Sequence, residues 1–411
     1  MIEFSKIVLE NELKVIHHYD ASTPFIIVNV LYQIGAKDED ENKTGFAHLF
    51  EHLMFGGTKL FPNFDHPLQD AGGENNAFTN NDYTNYYDVV PKENIETALC
   101  LEADRMQSLD INEQSLKVQK DVVCEEFKEH YVNQPYGDAW HLLRALVYEQ
   151  HPYKWPTIGK NLKQIEEATL QDVRDFYAAY YTPSNAILVI SGNIEQEKAF
   201  SLTEKYFGQL TSKVVQHKIF SEPEQQTAKT QTTYNDVPLN AIYIAFKITD
   251  KKNKDYYTAD TITDILSTGT SSRLYQNLVK KEKAFIEIDA YITGSNDVGM
   301  FVIEGKIAED CTVERAESLI WNEIEQLQKE LISVKELQKI KNKMLTYMAF
   351  SESSLMNRTV ALAHFELLGD ANQINKEIEA YENVSAEAIQ TFANVYLNKS
   401  RSNTLYYLKQ L

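Results

Sequence analysis

His48 and His52 stand four residues apart in the stretch "GFAHLFEHLMFGGT". On a helix that spacing puts both imidazoles on one face, one turn apart, as two nitrogen donors to a single metal ion require. Glu51 falls on the adjacent edge of the same helix, where a carboxylate can reach a metal-bound water without being a ligand, the position of a general base. The competing reading is a buried amphipathic helix: Phe46, Leu49, Phe50 and Leu53 face a core and the histidines are satisfied at its edge. A catalytic zinc ion takes three protein ligands and keeps one position open for water, so the chemical reading needs a third donor. The acid-rich stretch "LKVQKDVVCEEFKEHYV" offers Glu125, Glu126 and Glu129. Glu125 and Glu129 share a helix face and Glu126 points about 100° away from Glu125, so spacing leaves the choice open. His130, His141 and His151 have no partner at helical ligand spacing and read as structural or surface residues.

A second stretch, "AGGENNAFTNNDYTNYYDVV" over residues 71–90, begins with two glycines that break any helix and continues as a strand, a polar turn and another strand. It reads as a hairpin. Its first strand, around Asn75, Asn76 and Ala77, is a candidate edge to which an extended peptide adds main chain to main chain.

These residues must be positioned by a chain of 411 residues, long enough for two or three domains, whose 43% hydrophobic content can fill their cores. Strand-like runs ("FIIVNVLYQIG", "NAILVISGNI", "NAIYIAFKI", "NTLYYLKQL") alternate with long helical segments such as "ENIETALCLEADRMQSL" and "AESLIWNEIEQLQKELI". Thr169–Asp172 and Ser333–Glu336 read as capping boxes that start helices. The fold class is mixed, α+β. The second half also repeats landmarks of the first: Ile34 matches Ile248 at an offset of 214, Phe176 and Tyr180 match Phe392 and Tyr396 at 216, and Asn185 matches Asn403 at 218. The expectation is two homologous domains related by internal duplication, each an antiparallel or mixed sheet flanked by helices. The boundaries read as 1–215, a polar linker at 216–230 containing Pro223, and 231–411 without the histidine motif.

Sixty acidic against 40 basic residues give a formal charge of −20, which disfavours nucleic acid and favours basic peptides electrostatically. The N-terminal "MIEFSKIVLENELKVI" has no basic and apolar signal-peptide pattern, and no apolar run approaches the roughly 20 residues of a membrane span. Three widely spaced cysteines (Cys100, Cys124, Cys311) fit a reducing compartment, so the expected location is cytoplasmic.

Taken together, "HLFEHLMFGGT", "GGENNAFTNNDYTNYY" and "ADRM" at Ala103–Met106 resemble the pitrilysin family of zinc metallopeptidases, whose zinc helix carries the H-x-x-E-H order. The resemblance implies a zinc-dependent endopeptidase with one zinc ion per chain. It also implies that His48 and His52 are ligands, that Glu51 is the catalytic base, and that the third ligand is Glu126, 74 positions after His52. By the same resemblance the strand at Asn75, Asn76 and Ala77 binds substrate. Two departures stand out. Where the family usually has a glutamate seven residues before the ligand, this chain has Gln119, which keeps a hydrogen-bonding group but loses a charge. Where the second domain commonly carries an Arg and, seven residues on, a Tyr that contacts substrate, the similar segment "TSSRLYQNLVKKEKAFIEIDAYI" has Val279 and Ile286. Within the family some enzymes divide these parts between two homologous chains, as in mitochondrial processing peptidase. This sequence resembles the zinc-bearing, beta-type chain, which implies a homologous second subunit supplying the missing pair, with self-pairing left open. The rival expectation is a non-catalytic core or assembly homologue that keeps the fold.

Overall fold

The computed structural model describes residues 1–410, which form two compact units, each discontinuous in sequence. The first unit comprises Met1–Lys128, Trp155–Ile219 and Ala349–Lys376, and the second Glu129–Lys154, Phe220–Met348 and Glu377–Leu411.

The first unit is built on six strands: β1 (Ser5–Val8), β2 (Lys14–Tyr19), β3 (Phe25–Tyr32), β4 (Glu74–Thr79), β5 (Thr84–Pro91) and β6 (Ala186–Gly192). Their order in the sheet is β1-β2-β6-β3-β5-β4, with β2 and β6 parallel and the other neighbours antiparallel. β3 and β6 are β-branched and apolar runs, interrupted only by the buried Asn29 and Ser191, because both of their faces are covered. On one face Ile16, Leu31, Ile187 and Val189 pack against Leu362, Ala363 and Phe365 of the helix Leu355–Leu368. The other face is lined by the helices Ile95–Ser108 and Gln196–Phe207. β4 is an edge strand, bonded to β5 on one side only.

In the second unit β7 (Lys229–Asn235), β8 (Ala241–Ile248), β9 (Phe285–Ile292), β10 (Gly299–Ile307) and β11 (Ser402–Lys409) run in the order β7-β11-β8-β10-β9. β7 and β11 are parallel and all other pairs antiparallel. Strand for strand this is the order and polarity of the first sheet without β1, so the duplication is visible in the topology. One face carries Ala139, Leu143 and Val147 of the helix Ala139–Val147, packed on Tyr243, Val302 and Leu405. Ala139 and Leu355, which open the two sheet-covering helices, are 216 residues apart. The same interval separates Leu170 from Ala386 at the starts of the helices that precede β6 and β11, and Ala186 from Ser402 at the starts of those strands. Each half of the sequence therefore supplies the equivalent helix to the unit built around the other half's strands.

The constant interval also corrects two landmark matches. Asn185 closes a short turn before β6 whereas Asn403 lies inside β11, and Ile34 lies beyond β3 whereas Ile248 is the last residue of β8. The aromatic pairs hold their places: Phe176 and Tyr180 are 4.9 Å apart between ring centroids, and Phe392 and Tyr396 are 4.5 Å apart.

Thr169 and Asp172 close a reciprocal capping box. Ser333 accepts from Glu336 N, but the Glu336 carboxylate turns to Arg273 in a bidentate pair, so only half of that box forms. Between the helix ending at Phe207 and β7 the chain is irregular but anchored. Glu222 accepts hydrogen bonds from the backbone N–H groups of Glu149, Gln150 and His151 and from Lys247 Nζ. Among the described residues no helix is long and apolar enough to cross a membrane.

Candidate metal centre

The helix Phe46–Leu53 carries the two histidines, and its sequence dictates both of its faces. Phe46, Leu49, Phe50 and Leu53 are buried, with Phe50 stacked on Phe176 and Tyr181 at 5.0 and 5.1 Å. The amphipathic reading is thus correct for one side of the helix, while His48 and His52 look out from the other, half-buried, with ring centroids 4.9 Å apart. Gly45 opens the helix at φ +88°, a left-handed conformation, and a Cβ there would meet the Ile165 side chain at 2.5 Å and the Ile158 carbonyl oxygen at 2.7 Å.

The third donor comes from a second helix, Glu113–Phe127, started by an Asn112 side chain that accepts from Gln114 N and Ser115 N. Its Glu126 Oε2 lies 3.6 Å from His48 Nε2 and 3.4 Å from His52 Nε2. Donors held about 2.0–2.1 Å from a tetrahedral zinc ion are about 3.3 Å apart, so the two imidazoles and the carboxylate fit such an ion in donor type and spacing. Among the described residues this is the one cluster of three such side chains close enough to share a metal ion. Glu125 instead points outward and pairs with Lys128 at 2.7 Å, and Glu129 is exposed. Gln119 is half-buried two turns before Glu126 on the same helix face.

Glu51 is half-buried between these donors and β4. Burial raises its carboxyl above the ordinary range, while hydrogen bonds from the Thr79 hydroxyl and backbone, and the neighbouring His52, pull it back. Thr79, the last residue of β4, was not singled out from the sequence. A threonine in a strand carries no signal of its own, and only the placement of β4 beside the helix reveals it. On the same strand Asn75 pairs with Asp88 of β5 and donates to Asp65 at 2.8 Å, and Asn76 Oδ1 accepts from Ala77 N.

The "FGGT" and "ADRM" pieces buttress the helix from below. Gly57, at φ +89°, passes too close to the Pro62 carbonyl for any Cβ, and the Thr58 hydroxyl donates to Asp104. Arg105 is fully buried, paired with Glu102 one turn earlier, and lies against Phe64 and Tyr86 at 4.2 and 4.6 Å. Tyr86 in turn donates to the Phe50 carbonyl of the histidine helix at 3.3 Å. Val279 and Ile286 lie in the second unit. Val279 packs on the core from the π-helical turn Tyr275–Lys281, and Ile286 on β9 is 61% exposed.

A duplicated α/β chain with an H-x-x-E-H helix and a carboxylate brought in from a second helix has the form of a zinc-peptidase-type protein. Residues 14–159 match the family described as "Insulinase (Peptidase family M16)" and residues 167–344 that described as "Peptidase M16 inactive domain". The chain belongs to peptidase family M16, the insulinase and pitrilysin type. It is 29% identical over 408 residues to the zinc protease PqqE of Helicobacter pylori, covering 97% of this chain and 91% of that protein. It is 25% identical to the probable mitochondrial-processing peptidase subunit beta of Arabidopsis thaliana, over 74% of this chain and 59% of that one. The crystal structure of a protease from Helicobacter pylori superposes with a TM-score of 0.94 at 28% identity, covering 99% of this chain and 100% of that chain.

Proposed function

We propose that this chain is a zinc-dependent endopeptidase acting on extended peptides, and the catalytic subunit of a two-chain enzyme. The observation that carries the reading is the convergence of His48 Nε2, His52 Nε2 and Glu126 Oε2 beside the half-buried Glu51. His48, His52 and Glu126 would hold one zinc ion, which when bound lowers the pKa of a water molecule and polarises a carbonyl group. Glu51 takes the proton of the attacking water, and its carboxyl, raised by burial, then returns that proton to the leaving amine. The open edge of β4 at Asn75, Asn76 and Ala77 pairs with the substrate backbone and holds it extended. The net charge of −20 favours basic segments.

Val279 and Ile286 offer no side-chain hydrogen bond, so the Arg and Tyr of the family pattern come from another, homologous chain. A homodimer would present the same two apolar residues again. Three unbridged thiols, two of them buried, favour a reducing cytoplasm. The second reading, a non-catalytic homologue, rests on Val279 and Ile286 and on the match of residues 167–344 to the inactive-domain description.

The two readings separate when bound zinc and peptide cleavage are measured for wild type and Glu51→Gln, alone and mixed with a homologous chain. The peptidase reading expects zinc in both proteins. It also expects cleavage that needs the mixture and falls by about 10²–10⁴ in Glu51→Gln. Zinc bound with no cleavage in any mixture favours the scaffold.

A further inference from the structure

The helix Phe46–Leu53 cannot cap itself. Its first turn holds no acidic residue, the residue before it is a glycine with no side chain, and Gly45, Phe46 and Ala47 are all buried, so water cannot serve the first N–H groups. Two of those groups are met from outside the helix. Glu39, 5% exposed, accepts from Gly45 N at 2.9 Å through Oε2 and from Ala47 N at 2.8 Å through Oε1.

We infer that Glu39 is a positioning residue: by gripping the start of this helix it fixes the direction in which His48 and Glu51 project. Ala47, one of the two residues it holds, immediately precedes His48. The short turn carrying Glu39 is itself pinned to the turn between β4 and β5. Ala36 N donates to Asn80 O, Lys37 N donates to Asn81 O at 2.9 Å, and the Lys37 ammonium pairs with Asp82 at 2.9 Å. Glu39 therefore ties the histidine helix to the hairpin whose edge strand bears Thr79, the partner of Glu51. A metal and its base tolerate displacements of only about 0.5 Å, and each buried N–H group left unmet at the helix start bears its full desolvation penalty, which drives that end of the helix to move toward new partners. The inference rests on the zinc-peptidase reading, and its test separates the two.

The test compares wild type, Glu39→Gln and, as a control for general destabilisation, Val189→Ala in β6 of the same unit. Zinc affinity is measured by chelator competition on each protein alone, and kcat and KM on a set of peptides with the homologous chain present, below every melting temperature. Glutamine keeps one acceptor oxygen and turns an amide donor toward the second N–H. The expected result for Glu39→Gln is zinc binding weakened by about 10–100-fold and a fall in kcat with KM nearly unchanged, whereas Val189→Ala lowers only the melting temperature. If Glu39→Gln does not fold, Glu39→Asp, which reaches one N–H group but not both, is expected to show an intermediate loss of zinc affinity. Wild-type zinc affinity and kcat in the folded Glu39 variant, or an equal loss in Val189→Ala, would overturn the inference. A wild type that binds zinc but cleaves nothing even with the homologous chain present removes the peptidase reading and leaves the zinc comparison to decide Glu39. A wild type that binds no zinc removes both.

Discussion

Neighbouring glutamates in this chain are separated by environment and not by identity. Glu126 and Glu125 are adjacent in sequence, yet one meets two imidazoles and the other meets Lys128 in solvent. Glu126→Ala is expected to abolish stoichiometric zinc, while Glu125→Ala leaves zinc content unchanged and shifts stability by less than about 1 kcal/mol, both measurable by metal analysis and thermal melting. Glu39 makes a pH prediction with a definite sign. Burial pushes its carboxyl up to about 8, against the two backbone N–H groups that pull it down. A carboxyl whose folded pKa is raised favours the folded state below its unfolded pKa, and that contribution is lost as pH rises toward about 8. The advantage of wild type over Glu39→Gln in melting temperature should therefore shrink between pH 5 and pH 8. A gap that widens over that range would contradict the assignment. The i, i+4 histidines were legible in the sequence because helical spacing is a local property. Spacing could not choose Glu126 over Glu125 and Glu129, and Glu39 and Thr79 carry no pattern at all, because their partners come from other segments of the chain.

At the scale of elements, the histidine helix depends on one backbone conformation below it and one buried charge beneath its floor. Gly45→Ala places a side chain at φ +88° against Ile165 and the Ile158 carbonyl. It should cost at least about 1–3 kcal/mol in chemical denaturation and weaken zinc binding in the protein that remains folded. Arg105 neutralises Glu102 where nothing else can, and burial with the nearby Glu102 pushes the Asp88 carboxyl well above its ordinary range. Arg105→Leu should destabilise the fold by about 3–5 kcal/mol, read from the urea midpoint, by leaving Glu102 as an uncompensated buried charge. The strands read from β-branched runs are the central ones, β3, β6, β8 and β11, because burial on both faces forces that composition. The Ser333–Glu336 pattern overstates its local bonding because Arg273, 63 residues away, takes the carboxylate.

For the whole molecule, periodicity and repeated landmarks carried the duplication, but not which sheet each helix covers, since a helix bears no local mark of its distant partner. The sheet with the candidate metal centre is covered on one face by Leu355–Leu368, encoded in the second half of the chain. A fragment of residues 1–220 should therefore expose Ile16, Leu31, Ile187 and Val189, show no cooperative melt and bind no stoichiometric zinc, although it contains all three proposed ligands. A cooperative melt with full zinc content in that fragment would show the borrowed helix to be dispensable. The 216-residue interval has a consequence for descent as well. A chain encoding a single copy would own a helix placed to cover another copy's sheet and a sheet with one face left bare. Two such chains trading helices would satisfy both, so this polypeptide has the wiring of a domain-swapped dimer fused end to end.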